Sequence, residues 1–263
     1  RISFFNHSDP SDIPWADREV DVVIDSTGVF KDKEALSRHI RGSVKKVILC
    51  APGKDVDKTI VMGINETDYN PEEHHVISNA SCTTNCLAPI AKVIHDKFHI
   101  LSGFMTTIHA YTSDQKLLDG AHNDLRRARS AALSMIPTTT GAAKAVGIVI
   151  PELKGKLDGY AVRVPTPNVS LVDLTVQIKN QTSVEEVHSA MKEASEGPLK
   201  GIIGYTNEPL VSIDYVGLKE SSQYDATMTS LIDNTLKVVA WYDNEAGFSH
   251  RVVDLASYIG EKL

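Results

Sequence analysis

Short apolar runs alternate with helix-spaced segments over the first part of the chain. The runs have the length and β-branched composition of buried strands, and they lie at residues 21–30, 46–50, 60–63 and 76–77. Residues 33–41 carry apolar side chains at helical spacing between the first two runs. This alternation predicts a parallel sheet of the doubly wound type.

The pattern changes near residue 101, where longer runs alternate polar and apolar positions or carry β-branched residues. Helices are predicted where the apolar spacing is helical, and the first begins with a capping-box pattern of Ser183 and Glu186. The predicted strands are residues 103–109, 170–178, 211–215 and 235–241, and the helices are residues 183–196 and 248–263. The chain is therefore predicted to be α/β plus α+β. A partial doubly wound (Rossmann-type) parallel-sheet domain is followed by a mixed or antiparallel-sheet domain.

Composition and charge exclude two classes of partner. Hydrophobic residues make up 42% of the chain and charged residues 23%, which are the proportions of a globular protein. A net charge of −7 gives no support to a nucleic-acid surface. No apolar run approaches the ~20 residues that a membrane helix needs. We therefore expect no nucleic-acid partner and no membrane partner.

The three cysteines, Cys50, Cys82 and Cys86, are an odd number with no disulfide framework. This favours a reducing compartment, and we expect a cytoplasmic protein. Cys82 and Cys86 lie one helical turn apart, a spacing that metal ligands or a redox pair can have. There is no second cysteine pair, however, and the histidines form no ligand-spaced cluster around them. We therefore predict no metal site.

The most informative motif is Ser-Cys-Thr-Thr-Asn-Cys at residues 81–86, between a strand-like run and a helix-spaced segment. A cysteine at such a junction lies at the positive end of the helix, where the thiolate is favoured over the thiol. Free cysteines are usually buried small hydrophobes, but the polar neighbours of Cys82 are untypical of a core. We interpret Cys82 as a nucleophile for a carbonyl carbon and Cys86 as a packing residue.

His109 ends the strand predicted at residues 103–109. A histidine at a strand end can be purely structural. It can also be the base that holds Cys82 as a thiolate and later moves protons at the substrate oxygen. Sequence spacing alone does not bring the two side chains together.

Basic and hydroxyl-bearing segments predict anion binding. Residues 124–129 contain three arginines, for which a solvated basic surface is the alternative interpretation. Pro-Thr-Thr-Thr-Gly at residues 137–141 precedes a helix-spaced run. Its hydroxyl and N–H groups are therefore expected to form an anion-binding site at a helix start. Arg163, between two valines, is either a core ion-pair residue or a phosphate clamp. Two such anion-binding sites beside a thiolate predict a phosphorylated substrate and a second phosphate as reactant.

These motifs resemble those of phosphorylating glyceraldehyde-3-phosphate dehydrogenases in order and spacing. Three further runs share the resemblance, at residues 109–112, 163–169 and 241–245, and it extends through essentially the whole chain. It implies NAD(P)-dependent oxidative phosphorylation of glyceraldehyde 3-phosphate to 1,3-bisphosphoglycerate, a reaction of glycolysis and gluconeogenesis. It also implies a homotetramer in which the loop at residues 113–136 packs near a neighbour's cofactor.

The resemblance implies a domain plan as well. Residues 1–81 would be the C-terminal part of a dinucleotide-binding domain, and residues 82–243 the catalytic domain. Residues 244–263 would be a C-terminal helix that returns to the dinucleotide-binding domain.

Individual residues receive roles from the same resemblance. Cys82 would form a thiohemiacetal and then a thioester, with His109 as base. Thr112 and Arg163 would hold the substrate's own phosphate, and Arg127 would serve the anion sites. The residues for the incoming phosphate would be Ser81, Thr83, Thr140 and Gly141. The cofactor contacts would be Ser8, Thr27, Gly28, Cys50, Asn244 and Phe248.

Some positions depart from the family pattern. The family begins with a strand, a glycine-rich phosphate turn and an acidic residue that binds the adenosine ribose. We expect this chain, which starts at Arg1 in an extended segment, to lack roughly the first fifth of that pattern and to bind the dinucleotide poorly by itself. Ser8 stands where many members have arginine. Cys50 stands where serine or threonine is usual, and Phe248 where tyrosine is usual.

The cofactor preference depends on two small residues. Gly120 and Ala121 stand where NAD-specific members usually have Leu-Pro, and small residues there resemble members that accept NADP. NAD remains the expected cofactor because it is the more frequent one in the family, and NADP is the alternative.

Three other functions stay open at this point. An erythrose-4-phosphate dehydrogenase would share the cysteine–histidine pair and the sheet plan. A cysteine hydrolase would use Cys82 and His109 without a dinucleotide. A non-catalytic binding module would leave Cys82 no more reactive than Cys50.

Overall fold

A computed structural model describes residues 2–263 of the chain. These residues form two compact units, one extending to Ser81 and including Arg251–Leu263, the other comprising Cys82–His250. Arg1, at which the predicted first domain begins, lies outside the described residues. The predicted division into residues 1–81, 82–243 and 244–263 stays a prediction. Among residues 2–263, no helix is long and apolar enough to cross a membrane.

The first unit contains a parallel sheet in the order β1-β2-β4-β3. Its elements are β1 (Val22–Asp25), α1 (Lys33–Ser37), β2 (Lys46–Leu49), β3 (Lys58–Thr59) and β4 (Val76–Ser78). This arrangement confirms the partial doubly wound sheet. The extended segment expected at residues 2–5 has no regular secondary structure.

Both faces of this sheet are covered, which is why its strands read as continuous apolar runs. Successive residues of β2 point to opposite faces. One buried cluster contains Val23, Leu36, Val44, Val47, Leu49 and Val76. The other contains Ile48, Ile60, Tyr69, Ile77, Leu255 and Ile259.

The strand predicted at residues 60–63 is wrong. The strand in this part of the chain is Lys58–Thr59, and the chain turns immediately after it. The Asn65 side chain causes the turn, because its Oδ1 accepts from the N–H of Val61 at 2.9 Å and its Nδ2 donates to the carbonyl of Thr59 at 3.0 Å.

The second unit contains a mixed sheet in the order β6-β7-β5-β8-β11-β10-β9. The pairs β5–β7 and β9–β10 are parallel, and the other neighbours are antiparallel. This confirms the mixed sheet. The strands are β5 (Ile100–Ala110), β6 (Ile136–Thr139), β7 (Leu157–Val164), β8 (Ser170–Ile178), β9 (Ile203–Thr206), β10 (Ser222–Ile232) and β11 (Thr235–Tyr242). Its helices are α2 (Cys82–Phe98), α3 (Ala142–Val149) and α4 (Val184–Glu196).

The predicted capping box of α4 is present. Ser183 Oγ accepts from the N–H of Glu186 at 3.2 Å, and Glu186 Oε2 accepts from the N–H of Ser183 at 3.0 Å. The strand predicted at residues 211–215 is wrong, because Ser212–Tyr215 form a 3-10 helix. Asp214 Oδ2 caps that helix by accepting from the N–H of Val211 at 2.8 Å.

The last helix, α5 (Ala246–Gly260), begins slightly before the predicted residue 248. Asp243 Oδ1 caps it by accepting from the N–H groups of Glu245 at 2.9 Å and Ala246 at 2.8 Å. Further along, Leu255 and Ile259 are fully buried at helical spacing. One face of the C-terminal half of the helix therefore packs into the core of the first unit.

Candidate active site

The Cys82 thiol lies at the start of α2. Cys82 is the first residue of this helix and is half-buried. The chain leaves β4 through Ala80, which has a φ of 57° although it is not glycine. That backbone conformation costs on the order of 1–3 kcal/mol. The cost is borne two residues before the cysteine, where the chain turns from strand into helix.

His109 contacts this thiol. Its Nε2 lies 3.5 Å from Cys82 Sγ, and the ring is buried near the end of β5. On the other side of the ring, Nδ1 lies 2.7 Å from the carbonyl oxygen of Ala110. The same Nδ1 lies 3.0 Å from Arg163 Nη1, so this nitrogen is held between the carbonyl and the guanidinium group. Nε2 is therefore the ring nitrogen that faces Cys82, within reach of the thiol proton, as a general base requires.

Burial sets the protonation of this pair. Burial and the charge of Arg163 lower the pKa of His109 to about 4, so the ring is neutral at neutral pH. Burial also raises the pKa of the Cys82 thiol, while hydrogen bonding with Thr83 and the charge of Arg163 act in the opposite direction. Both shifts favour the neutral thiol and the neutral imidazole. The proton then has to move from Sγ to Nε2 when the sulfur attacks.

Arg163 lies behind His109 because the strands align them. In the parallel pair β5–β7, His109 is in register with Arg163. Arg163 Nη1 donates to the carbonyl of Ala110 at 2.9 Å and to Thr112 Oγ1 at 3.3 Å. Its Nε is buried and has no hydrogen-bond partner within residues 2–263. Thr112 and Arg163 thus place a hydroxyl and a cation with an unused donor beside the catalytic pair.

Arg127 lies beside the segment that leads into α3. Its Nε donates to Thr138 Oγ1 at 2.9 Å, and its Nη1 pairs with the Asp114 carboxylate. At the start of α3, Thr140 Oγ1 accepts from the N–H of Ala142 at 3.2 Å. Gly141 precedes the helix, and a Cβ built there would meet no atom within 4 Å. The helix start is therefore open to a ligand.

A hydroxyl network that sequence reasoning missed supports Cys82 and His109. The Tyr242 hydroxyl lies 2.9 Å from Thr83 Oγ1 and 2.9 Å from Thr107 Oγ1, all three being buried. The Tyr242 ring meets the His109 ring edge-on at 5.9 Å. Thr107 was detectable in the sequence, because a residue two before His109 on a strand shares its face.

Three predicted cofactor residues follow the carboxyl ends of adjacent parallel strands. Thr27 and Gly28 follow β1, and Cys50 follows β2. Dinucleotides bind at this edge of doubly wound sheets. Gly28 has a φ of 71°, and a Cβ there would meet no atom within 4 Å. The turn therefore leaves room for a ligand, so these residues fit a dinucleotide.

The other three predicted cofactor residues have different surroundings. Asn244 is buried, and its Oδ1 accepts from Ser170 Oγ at 2.8 Å, which orients its amide group. Phe248 is half-buried in the first turn of α5. Ser8 is exposed and lies outside regular structure. Within residues 2–263 there is no cluster of three or more side chains suited to holding a metal ion.

Comparison with known proteins places these residues in context. The family profile described as glyceraldehyde 3-phosphate dehydrogenase, C-terminal domain, matches residues 81–244. A glyceraldehyde-3-phosphate dehydrogenase of Geobacillus stearothermophilus is 60% identical over 255 residues, covering 97% of this chain and 76% of that protein. Glyceraldehyde-3-phosphate dehydrogenase 2 of Trichormus variabilis is 59% identical over 262 residues, covering 99% and 78%. Glyceraldehyde-3-phosphate dehydrogenase 1 of Bacillus subtilis is 57% identical over 255 residues, covering 97% and 76%.

Proposed function

This chain belongs to the glyceraldehyde-3-phosphate dehydrogenase family, and on that premise we propose how its residues carry out the family reaction. The enzyme oxidises glyceraldehyde 3-phosphate with NAD and phosphate to 1,3-bisphosphoglycerate. Cys82 is the nucleophile and His109 the base. The observation that carries these roles is the 3.5 Å approach of His109 Nε2 to Cys82 Sγ, with Nδ1 engaged elsewhere.

Proton transfers at His109 accompany each step of the chemistry. Sγ attacks the aldehyde carbon while its proton passes to Nε2, and the protonated ring then gives that proton to the carbonyl oxygen, which yields a thiohemiacetal and a neutral His109. His109 then accepts the hydroxyl proton as the carbon loses hydride and becomes a thioester. NAD, when bound, supplies the hydride acceptor. Attack of inorganic phosphate on the thioester carbon breaks the C–S bond and releases the acyl phosphate, and the Cys82 sulfur takes back the proton from His109.

We assign the substrate's phosphate and inorganic phosphate to two separate binding sites. Thr112 and Arg163 hold the substrate's phosphate, because Arg163 has a buried Nε without a partner in the described chain. Ser81, Thr83, Thr140 and Gly141 hold inorganic phosphate, supported by the open start of α3. Arg127 supplies positive charge to the anion sites, although Asp114 offsets part of that charge.

Thr27, Gly28, Cys50 and Asn244 would hold the dinucleotide, with Ser8 and Phe248 as further contacts. The Asn244 amide would orient the nicotinamide carboxamide, since Ser170 fixes its oxygen. NADP remains the alternative to NAD, supported by the small residues Gly120 and Ala121.

We also propose a homotetramer in the cytoplasm. Large apolar side chains are exposed in the loop at residues 113–136, and Phe104 is 73% exposed on the sheet of the second unit. Exposed apolar surface of this kind marks an interface, and a second copy of this chain is its proposed occupant. The loop residues are Leu117, Leu118, Leu125, Leu133 and Met135. The cytoplasmic location is supported by three free cysteines.

The test is formation of reduced nicotinamide by the purified protein with glyceraldehyde 3-phosphate, phosphate and NAD. We expect activity that depends on phosphate and is lost in Cys82→Ser. Faster turnover with erythrose 4-phosphate would reassign the substrate, and a higher kcat/KM with NADP would reassign the cofactor. Hydrolysis of a thioester without any dinucleotide-dependent reaction would contradict the proposal. Sedimentation of the same preparation measures the oligomeric state.

A further inference from the structure

A buried carboxylate precedes the turn that contains Thr27 and Gly28. Asp25 is the last residue of β1 and is 2% exposed. Its Oδ1 accepts from the N–H of Thr27 at 3.0 Å and from the hydroxyl of Thr27 at 2.8 Å. Thr27 Oγ1 in turn accepts from the N–H of Val29 at 3.2 Å. One carboxylate oxygen therefore fixes the backbone on both sides of Gly28.

His39 holds the other oxygen of this carboxylate. Its Nε2 lies 3.3 Å from Asp25 Oδ2, and the residue is 5% exposed. Two aromatic rings flank the imidazole, Trp15 at a centroid distance of 6.0 Å and Phe30 edge-on at 6.5 Å. These contacts hold the ring in place against the carboxylate.

Nε2 is the hydrogen-bonding nitrogen of this imidazole. His39 Nδ1 is buried and has no hydrogen-bond partner in the part of the chain that the structure describes. A proton on Nδ1 would be a buried donor without an acceptor, which is unfavourable. His39 therefore donates from Nε2 to Asp25.

The carboxylate stays ionised in this setting. Burial opposes ionisation, but hydrogen bonds from His39 and Thr27 outweigh it and keep the pKa of Asp25 below its ordinary value. Burial and the charge of Asp25 together raise the pKa of the Cys50 thiol to about 11. The Asp25 carboxylate thus accepts three hydrogen bonds, one from His39 and two from Thr27.

We propose that Asp25 and His39 are positioning residues for the dinucleotide. His39 orients the Asp25 carboxylate, and Asp25 holds Thr27 and Gly28 in the turn that contacts the cofactor. Both side chains are buried, so they act through Thr27 rather than by touching the ligand. This inference rests on the proposed function, because it takes this edge of the sheet as the cofactor site.

The test compares His39→Leu with His39→Gln, whose side-chain amide can replace the Nε2 donor. Hydrogen exchange of the Thr27 and Val29 amides is measured without cofactor, and NADH binding is measured by fluorescence titration. We expect His39→Leu to speed exchange at both amides and to weaken NADH binding about tenfold. The KM for NAD should rise while kcat at saturating NAD stays within about twofold. His39→Gln should restore all three quantities.

His95→Leu is the matched control, because His95 is a buried histidine of α2. It belongs neither to the active site around Cys82 and His109 nor to the proposed cofactor site. It should leave the KM for NAD unchanged. The inference is overturned if His39→Leu keeps wild-type exchange at Thr27 and wild-type NADH affinity, or if His39→Gln behaves like His39→Leu. The proposed function fails in a different way, namely if the wild-type protein neither binds NADH nor oxidises the aldehyde.

Discussion

Replacing His109 with asparagine tests the proposed base directly. The pKa of His109 is about 4, so a ring at neutral pH is protonated in about one molecule in a thousand. Nearly every active site therefore has a neutral imidazole whose Nε2 lies 3.5 Å from the thiol sulfur. A positioned general base contributes about 10²–10⁴-fold, which is about 3–5 kcal/mol of activation free energy. We expect His109→Asn to lose that factor in kcat.

Two assays separate the roles of this base. Formation of reduced nicotinamide measures the whole reaction, and alkylation of Cys82 by iodoacetamide measures thiol activation alone. Alkylation at neutral pH should also be slower in His109→Asn. His99→Asn is the control, because His99 is exposed and has a φ of 63°, a conformation that asparagine tolerates. A loss of less than about tenfold in kcat, or an equal loss in the control, would refute the assignment.

The pH dependence of Cys82 alkylation in wild type and in His109→Asn gives a further test of the same base. The base form of His109 is lost as the pH falls through its folded pKa of about 4, not through the ordinary value of 6.5. In a buffer free of phosphate and sulfate, the advantage of wild type in alkylation should persist through mildly acidic pH. It should decline only near the lower value. An advantage that is already halved at the ordinary histidine pKa would contradict the neutral-pair description.

Three further predictions concern other residues. Arg163→Gln should lower kcat/KM for the phosphorylated aldehyde by about 10–100-fold through lost charge-assisted hydrogen bonds. The kcat/KM for unphosphorylated glyceraldehyde, assayed in parallel, should fall much less. Equal losses with the two aldehydes would show that Arg163 does not bind the substrate's phosphate. Ser183→Ala should reduce the free energy of unfolding by about 1 kcal/mol in urea because the capping box of α4 is lost, and unchanged stability would contradict this. Leu255→Ala should reduce it by about 2–5 kcal/mol because Leu255 is fully buried; a loss below about 1 kcal/mol would mean that the site collapses around the smaller side chain.

Local signals in the sequence were sufficient where the structure depends on neighbours along the chain. The alternation of short apolar runs and helical spacing predicted the parallel sheet, and the Ser183 capping box predicted the start of α4. The same reasoning failed at residues 60–63 and 211–215. There the side chains of Asn65 and Asp214 bond the backbone and outweigh the strand propensity of the apolar residues.

The sequence by itself determined the fold class, the strand-to-helix junction at Cys82 and, through its motifs, the family. Only the tertiary structure decided that His109 Nε2 approaches Cys82 Sγ, that Arg163 lies in register with His109, and that His39 reaches Asp25. The physical reason is that these contacts join residues far apart in the chain. Strand register and helix packing bring such residues together, and side-chain spacing along one strand or helix carries no information about partners on another element. The protonation of the site was decided in the same way, because the burial of His109 and the partial burial of Cys82 are properties of the packed protein.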